Sequence, residues 1–232
     1  MNSAIPVITV DGPSGTGKGT LCLRLATVLG WHLLDSGLLY RVLALAAQKH
    51  GLSLDDEAAL GVLAQGLELN FVMAEEARDP LRVSLEGQDV TVAIRTEAAG
   101  NAASRVAALP AVRAGLLERQ HAFRQAPGLI ADGRDMGTVV FPAAPLKLFL
   151  TASAGERAQR RYKQLKGKGM GVSLPQLVTE IAERDARDSE RSISPLRPAP
   201  DAVVIDTTAM DIAVVFEQVT ALIEGRLGIS LT

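Results

Sequence analysis

The sequence has few of the features that mark secreted, membrane-spanning or zinc-binding proteins. Its 232 residues include one cysteine, Cys22, so no internal disulfide can form and a reducing compartment fits. One cysteine and three scattered histidines argue against a zinc site. The N-terminus lacks the basic and apolar regions of a signal peptide, and no apolar run reaches the roughly 18 residues that span a bilayer. We therefore expect a cytoplasmic protein without a membrane segment.

Aromatic residues and excess positive charge are also scarce. Lys and Arg number 24 against 26 Asp and Glu, a net charge of −2, and aromatic residues make up 3%. Proteins that bind nucleic acid non-specifically are normally basic, and those that bind single strands stack bases on aromatic rings. We therefore expect no nucleic-acid partner. Hydrophobic residues make up 47%, enough for a large core with one or two inserts.

Short apolar runs alternate with longer helical patterns along most of the chain. The predicted strands are 5–10, 31–34, 129–131, 146–150 and 202–205. Apolar residues at helical spacing follow the first two runs, and Ser153 and Glu156 have the spacing of a capping box after the fourth. This alternation predicts an α/β fold with a parallel sheet covered by helices on both faces.

Two segments depart from this alternation. Residues 67–94 show period-two alternation with turn signals at Asp79-Pro80 and Glu86-Gly87, which predicts a small antiparallel insert. Residues 157–172 are rich in Lys, Arg and Gly and have few large apolar residues. That composition predicts an exposed, mobile segment near an anionic ligand.

The strongest motif is a glycine-rich loop between the first predicted strand and the first predicted helix. Its residues are Gly12, Pro13, Ser14, Gly15, Thr16, Gly17, Lys18, Gly19 and Thr20. Glycines let the backbone curl so that several N–H groups point at one phosphate, and the helix start adds its positive dipole end. Lys18 can then reach the β- and γ-phosphates of a nucleotide. The motif predicts an ATP-binding loop.

The hydroxyl that commonly follows the loop lysine is displaced here. Gly19 stands at that position and Thr20 comes next, a form that resembles the adenylate-kinase-like nucleotide kinases. We expect Mg²⁺ to be held mainly by phosphates and water, with Thr20 nearby. Asp132, at the end of the predicted strand 129–131, is the candidate for a water-mediated contact to the same ion.

Candidate acceptor and transfer residues lie at later strand ends and on two helices. Ser36 and Arg41 follow the second predicted strand, where ligands bind in parallel sheets. Two groups of charged residues, mostly arginines, have helical spacing. The first is Arg157, Arg160 and Arg161, and the second is Arg184, Arg187, Asp188 and Arg191. Some of these charges have acidic neighbours and are structural. Arginines are nevertheless what phosphoryl transfer needs to neutralise the transferred group.

No separate nucleophile is needed for such a reaction. The sequence has no Ser–His–Asp set and no dinucleotide-binding Gly-x-Gly-x-x-Gly fingerprint. A monophosphate oxygen is already anionic at neutral pH and attacks without a general base. Catalysis is then mainly positioning and charge stabilisation.

Several segments together resemble bacterial cytidylate kinase along nearly the whole chain. They are ITVDGPSGTGKGT, WHLLDSGLLYR, NAASRVAALPAVR, LIADGRDMGTVVFP and ERDARDSERSISPL. The resemblance implies transfer of the γ-phosphate of ATP to CMP or dCMP, with Mg²⁺. It also implies a five-stranded parallel core, an acceptor-binding arm that carries an antiparallel insert, and a short helical lid. The implied boundaries are 1–35, 121–156 and 192–232 for the core, 36–120 for the arm, and 157–191 for the lid.

The resemblance also implies roles for individual residues. Contacts to the acceptor phosphate and ribose match Ser36, Arg41, Arg134 and Arg184, with Asp188 at a ribose hydroxyl. The cytosine-recognising set matches Ser104, Arg113 and Asp135, and Arg191 is a further candidate. Arg157 and Arg161 match the start of the lid and are assigned to the ATP phosphates. Lys18, Arg134, Arg184 and Arg161 are thus the predicted catalytic residues.

Three alternative functions share part of this pattern, and a sequence feature counts against each of them. A P-loop kinase for AMP, UMP or shikimate shares the loop but not the cytosine-recognising set. A GTP-dependent switch protein would carry an Asn-Lys-x-Asp motif, which is absent. An ATPase that binds nucleic acid conflicts with the net charge and the low aromatic content. No long apolar surface stripe demands a partner, so we expect a monomer.

Overall fold

The structure is a computed structural model that describes residues 5–73, 81–167 and 171–230. In chain order the elements are β1 (Val7–Asp11), α1 (Lys18–Leu29), β2 (His32–Asp35), α2 (Ser36–Lys49), α3 (Glu57–Gln65), β3 (Leu69–Met73), β4 (Leu81–Leu85), β5 (Gln88–Asp89), α4 (Glu97–Val106), α5 (Pro110–Ala122), β6 (Leu129–Gly133), β7 (Leu146–Thr151), α6 (Ala154–Lys166), α7 (Leu174–Glu190), β8 (Val203–Asp206) and α8 (Ile212–Leu227). A 3₁₀ turn at Ala93–Arg95 and a π-helical turn at Met136–Val140 complete the set.

A five-stranded parallel sheet has the strand order β2-β6-β1-β7-β8. Each of the five strands predicted from the sequence lies in it, shifted by one or two residues. The central strands β1 and β6 are buried along their whole length, as expected of strands covered on both faces. The predicted α/β fold with a parallel core is confirmed.

The strand registers bring polar residues together at the carboxyl edge of the sheet. Asp11 of β1 lies beside Gly133 of β6, and Asp35 of β2 lies beside Asp132 of β6. The glycine-rich loop leaves the same edge from β1 and leads into α1. Ligands bind at this edge in parallel sheets, so the fold assembles the candidate site from residues that are distant in sequence.

The main core packs α1 and α8 against the parallel sheet. Leu21 and Leu25 of α1 and Val219 of α8 are completely buried, together with Ile8 and Leu146 of the strands. The start of α8 is capped by Asp211, whose carboxylate accepts the N–H groups of Ala213 and Val214. This packing anchors α1, and therefore the loop that precedes it.

The chain divides into two compact units. One comprises residues 1–35 and 120–232, and the other comprises residues 36–119. The second unit contains the segment predicted as the acceptor-binding arm, whereas the predicted lid, 157–191, lies within the first. The assignment of arm and lid functions to these segments stays a prediction.

The second unit contains an antiparallel three-stranded sheet, β3-β4-β5, as the alternation predicted. Glu86 and Gly87 both have positive φ and form the two-residue turn between β4 and β5. The prediction was wrong beyond Asp89, because residues 90–92 are not strand and the segment 93–95 forms a 3₁₀ turn that buries Ile94. The turn predicted at Asp79-Pro80 lies outside the described residues.

The described part of the segment 157–172 is mostly helix, with buried residues, rather than the exposed stretch that its composition predicted. Its mobility stays a prediction. Its first ten residues belong to α6, and Ala158 and Leu165 are buried in a cluster with Leu177 and Ile181 of α7. A few apolar residues at the correct helical spacing suffice to pack two charged helices together. Residues 168–170 of this segment lie outside the described residues.

Candidate active site

The glycine-rich loop takes a backbone shape that side chains would block. Gly12, Gly15 and Gly17 have φ values of 141°, 82° and 95°. A Cβ on Gly12 would lie 2.1 Å from the carbonyl oxygen of Leu150 in β7. A Cβ on Gly15 would lie 2.9 Å from the Cβ of Arg157. Glycine is therefore required both by conformation and by close packing at these two positions.

Lys18, the first residue of α1, is buried beneath the loop. Its Nζ donates to the carbonyl of Pro13 at 3.0 Å and lies 3.9 Å from Oδ1 of Asp132. Burial, and then the charge of Arg134, lower the pKa of Lys18, while burial raises the pKa of Asp132. A buried cation at a phosphate loop is poised for an anionic ligand, whose charge would favour the protonated amine.

Asp132 faces the start of α1. The nearest atom to a Cβ built on Gly19 is Oδ2 of Asp132, at 3.6 Å. Thr20 is exposed, and Asp132 is 7% exposed. Within the described residues, no group of three or more His, Cys, Asp or Glu side chains converges as a metal cage would. A carboxylate beside a phosphate loop suits a cation held chiefly by phosphate and water.

Arg157 supports the loop from α6. Its Nε donates to the carbonyl of Ala152 at 2.9 Å, its Nη1 donates to the carbonyl of Ser14 at 3.2 Å, and its guanidinium also forms a two-pronged ion pair with Asp185 of α7. Four of the five N–H groups are thereby engaged. The fifth N–H group, on Nη2, is the one through which Arg157 could contact ATP without releasing an acceptor.

The two other arginines of α6 differ from each other. Arg160 is bonded to the carbonyl of Thr16 in the loop and to the segment after β8. Arg161 is half-buried, and its Nη1 donates to Oε1 of Gln164 at 2.6 Å. Arg161 keeps its predicted assignment to ATP phosphates, which the structure does not test.

Asp11 lies directly before the phosphate loop, and the sequence analysis did not single it out. It is 4% exposed, and its two carboxylate oxygens accept the backbone N–H groups of Met136 and Gly137, each at 2.8 Å. Burial raises the pKa of Asp11 to about 6, although the two N–H groups act in the opposite direction. Its position at a strand end immediately before Gly12 was the available signal, the same one that identified Asp132.

Arg134 and Asp188 join the end of β6 to α7. Nε of Arg134 donates to Oδ2 of Asp188 at 3.0 Å, and Asp188 is 4% exposed. Burial alone would lower the pKa of Arg134, but the charge and hydrogen bond of Asp188 outweigh it and raise that pKa. Arg184 lies one turn earlier on α7. The structure thus brings two of the predicted acceptor residues into direct contact.

Asp135 and Arg191 also lie together. Nη2 of Arg191 is 4.0 Å from Oδ1 of Asp135, and both side chains are buried. Nε of Arg191 donates to the carbonyl of Ser194, which fixes the guanidinium just after the end of α7. The carbonyl of Asp135 accepts the N–H groups of Val139 and Val140. The backbone of Asp135 is thereby bonded to the π-helical turn, and its carboxylate lies beside an arginine.

The remaining predicted acceptor residues belong to the second unit. Ser36 begins α2 and is 4% exposed, and Ser104 lies on α4 and is 7% exposed. Nη1 of Arg41 donates to the carbonyls of Ile94 at 2.8 Å and Thr96 at 3.0 Å, so this residue also braces the start of α4. The guanidinium of Arg113 lies 5.8 Å from the centre of the Tyr40 ring.

The sheet and the loop define the class of protein. A strand, a glycine-rich turn and a buried lysine at a helix start form a phosphate site, and a half-buried arginine, Arg134, follows the neighbouring strand β6. Such an arrangement is that of a P-loop phosphotransferase. Among the described residues no helix is both long enough and apolar enough to span a bilayer.

Comparison with known proteins identifies the family within this class of phosphotransferases. The family model described as Cytidylate kinase matches residues 8–225. Proteins named cytidylate kinase in Aeromonas hydrophila subsp. hydrophila and in Shewanella frigidimarina are 60% and 58% identical to this chain. The first alignment covers 98% of both chains, and the second covers 99% of this chain and 100% of the relative. The cytidylate kinase of Pseudomonas aeruginosa strain PAO1 is 60% identical over 94% of this chain and 95% of its own length.

The chain belongs to the cytidylate kinase family. This confirms the resemblance on which the residue roles were predicted, and it makes the protein a nucleoside-monophosphate kinase. A solved gluconokinase from Sinorhizobium meliloti 1021 is 16% identical, with a TM-score of 0.46 over 96% of this chain and 94% of that one. The strand order, not this weak similarity, defines the fold.

Proposed function

We propose that the protein transfers the γ-phosphate of ATP to CMP or dCMP, giving ADP and CDP or dCDP. One observation carries the proposal beyond family membership. Lys18 follows β1 through the phosphate loop and Arg134 follows β6, and these two strands are neighbours. Lys18, the cation proposed for the donor phosphates, and Arg134, a cation proposed for the acceptor phosphate, therefore both follow strands at the carboxyl edge of the parallel sheet.

The proposed mechanism is direct in-line transfer. An anionic oxygen of the CMP phosphate attacks the γ-phosphorus of ATP, the bond from the γ-phosphorus to the β,γ-bridging oxygen breaks, and ADP leaves. Lys18 and the loop N–H groups hold the donor phosphates. Arg134, Arg184 and Arg161 neutralise the charge that spreads over the transferred group. The Arg134–Asp188 pair orients the guanidinium before the acceptor binds.

The residues around the loop fit Mg²⁺ as the accompanying ion. Asp132 and the Thr20 hydroxyl would hold it, through water, while the phosphates supply the other oxygens. When bound, the ion neutralises phosphate charge. Asp132 is buried with its carboxylate facing the start of α1, which suits an outer-sphere role better than a closed cage.

Base selection is proposed for Ser104, Arg113 and Asp135, with Arg191 beside Asp135. Cytosine has an amino donor next to ring acceptors, and a carboxylate with hydroxyl and guanidinium groups complements that edge. Uracil has a carbonyl where cytosine has the amino group, and it would repel Asp135. Ser36 and Arg41 are proposed to contact the acceptor phosphate and ribose. A kinase for AMP or UMP is the alternative that this set disfavours.

We propose further that the protein acts as a cytoplasmic monomer without a nucleic-acid partner. The net charge of −2 supports the absence of a nucleic-acid partner, and the single buried cysteine fits a reducing compartment. Light scattering across a range of concentrations checks the oligomeric state, and a constant monomer mass is expected.

An acceptor panel tests the proposed function. ADP formation from MgATP is measured with CMP, dCMP, UMP, AMP or no acceptor, each at equal concentration. Fast ADP formation with CMP and dCMP and little in the acceptor-free tube is expected. Preference for AMP or UMP would keep the kinase and overturn the roles of Ser104, Arg113 and Asp135. Equal ADP in every tube would mean an ATPase.

A further inference from the structure

Arg160 uses all of its hydrogen-bonding capacity on the protein itself. Nε donates to Oε1 of Glu156 at 2.9 Å. Nη1 donates to the carbonyl of Thr16 at 3.5 Å and to Oγ1 of Thr207 at 3.1 Å. Nη2 donates to the carbonyls of Thr207 at 2.6 Å and Met210 at 3.3 Å. An arginine has five N–H groups, and each one here has an acceptor.

Apart from Glu156, which is on the same helix, the acceptors lie on two segments that are far apart in sequence. Thr16 is in the glycine-rich loop, whereas Thr207 and Met210 lie in the connection between β8 and α8. Thr207 reinforces the junction, because its Oγ1 lies 3.1 Å from the Thr16 carbonyl and 3.0 Å from the Thr151 carbonyl. Thr207 is 1% exposed, so water does not compete for these bonds.

Holding the Thr16 carbonyl has a consequence for the next N–H. A trans peptide is planar, and its C=O and N–H point to opposite sides. When Arg160 and Thr207 hold the carbonyl of Thr16 on their side, the N–H of Gly17 is turned to the other side. Loop N–H groups are the ones that bind nucleotide phosphate, and Lys18 follows directly. Gly17 has φ 95° and no side chain to resist this orientation.

We propose that Arg160 is a positioning residue for ATP. It acts through the Thr16–Gly17 peptide and the β8–α8 connection, and it does not itself contact phosphate. This role separates Arg160 from Arg161, although both lie on α6. The inference rests on the proposed ATP-binding loop and deepens it.

The role requires the planar fork of an arginine. A lysine ammonium has three donors at one point and cannot reach acceptors spread over two segments. Arg160→Lys is therefore expected to behave like Arg160→Ala. Thr207→Val removes the hydroxyl at nearly constant volume and should cause a smaller defect of the same kind. Arg124→Ala is the matched control, because it removes an arginine whose Nε donates to the carbonyl of Ile5.

Calorimetric binding of MgATP without acceptor, together with KM values for ATP and CMP, tests the proposal. Loss of charged hydrogen bonds should weaken MgATP binding and raise its KM about tenfold or more in Arg160→Ala. The KM for CMP should stay within about twofold, and Arg124→Ala should match the wild type. If Arg160→Ala does not fold, Thr207→Val gives the same comparison.

Several results would overturn the positioning role. They are unchanged ATP affinity with a lower melting temperature, full rescue by Arg160→Lys, or equal changes in both KM values. Failure of the proposed function is distinguishable, because a wild type that binds MgATP but does not phosphorylate CMP refutes only the acceptor assignment.

Discussion

Asp11 and Gly137 are joined by a hydrogen bond of 2.8 Å from the Gly137 N–H to Oδ2 of Asp11. Asp11 is the last residue of β1 and precedes the phosphate loop, whereas Gly137 lies in the π-helical turn after Arg134 and Asp135. A Cβ on Gly137 would approach Oδ2 of Asp11 to 3.3 Å and Oγ1 of Thr9 to 2.9 Å. This hydrogen bond connects the residue before the phosphate loop to the turn that follows the proposed acceptor residues Arg134 and Asp135.

The ionisation of Asp11 should therefore affect activity. The pKa of this carboxyl is raised to about 6, and the ionised form is the stronger acceptor for both N–H groups. We expect kcat/KM of the wild type to fall as the pH falls through about 6. Asp11→Asn should have low activity at neutral pH and a smaller decline toward acid pH than the wild type. A decline of the same size in both proteins would contradict the assignment.

The ionisation of Asp11 should also affect stability, but here the free energy of unfolding should fall as the pH rises. The pKa of Asp11 in the folded protein, about 6, lies above the ordinary value of 3.8, so the native state binds the proton more tightly than the unfolded chain. The contribution of this carboxyl to the free energy of unfolding is thus greatest at low pH and is lost as the pH rises through about 6. Denaturant unfolding should show that the wild type loses stability relative to Asp11→Asn when the pH is raised from about 5 to about 7. A gain in the relative stability of the wild type would contradict the raised pKa of Asp11.

Lys18→Ala should abolish transfer with the fold intact. The variant removes the buried cation at the loop, and turnover should fall by about a thousandfold or more. Circular dichroism should match the wild type. Lys49→Ala is the control, since Nζ of Lys49 pairs with Glu86 in the second unit and should leave turnover unchanged. Near-normal turnover in Lys18→Ala would refute the loop assignment.

Asp188→Asn should weaken the use of CMP, the acceptor, and leave the use of ATP, the donor, nearly unchanged. The change removes the charged partner of Arg134, so the KM for CMP should rise about tenfold while the KM for ATP stays within about twofold. Steady-state kinetics with each substrate varied in turn measures this. Glu190→Gln, at the exposed end of α7, is the control. An equal rise in both KM values would show that the Arg134–Asp188 pair is not acceptor-specific.

Gly12→Ala should destabilise the protein severely. The new Cβ would meet the Leu150 carbonyl at 2.1 Å, at a φ that side chains rarely adopt, and we expect a loss of about 3 kcal/mol or more. Urea unfolding measures the change. Gly155→Ala is the matched control in α6, where a Cβ meets nothing within 4 Å, and it should gain about 0.5–1 kcal/mol. Equal stabilities of the two variants would contradict the packing argument.

The sequence predicted the strands and the loop because their signals are local. Alternating apolar runs identified all five core strands, and the spacing of Gly12, Gly17 and Lys18 identified the phosphate loop. The segment 90–94 was mistaken for strand because a period-two pattern also fits a 3₁₀ turn that buries Ile94. The packing of α6 on α7 was missed because only four buried residues carry it.

Residues whose role depends on distant partners were the ones that sequence could not identify. Asp11 and Met136 are joined across 125 positions, and Arg160 and Thr207 across 47. Thr207 has no motif around it that would single it out. The contacts of Arg157 to Ser14 and Asp185 are likewise visible only in three dimensions, and its assignment to ATP phosphates stays a prediction.

Phosphate tracing tests the central claim most directly. ATP labelled at the γ-phosphate is mixed with MgCl₂, the wild-type protein and equal concentrations of CMP and UMP, and the label is followed into CDP, UDP and inorganic phosphate. Direct transfer with cytosine selection predicts that nearly all of the label appears in CDP. Label mainly in inorganic phosphate would contradict kinase chemistry, and equal label in CDP and UDP would contradict the cytosine-recognising role of Ser104, Arg113 and Asp135.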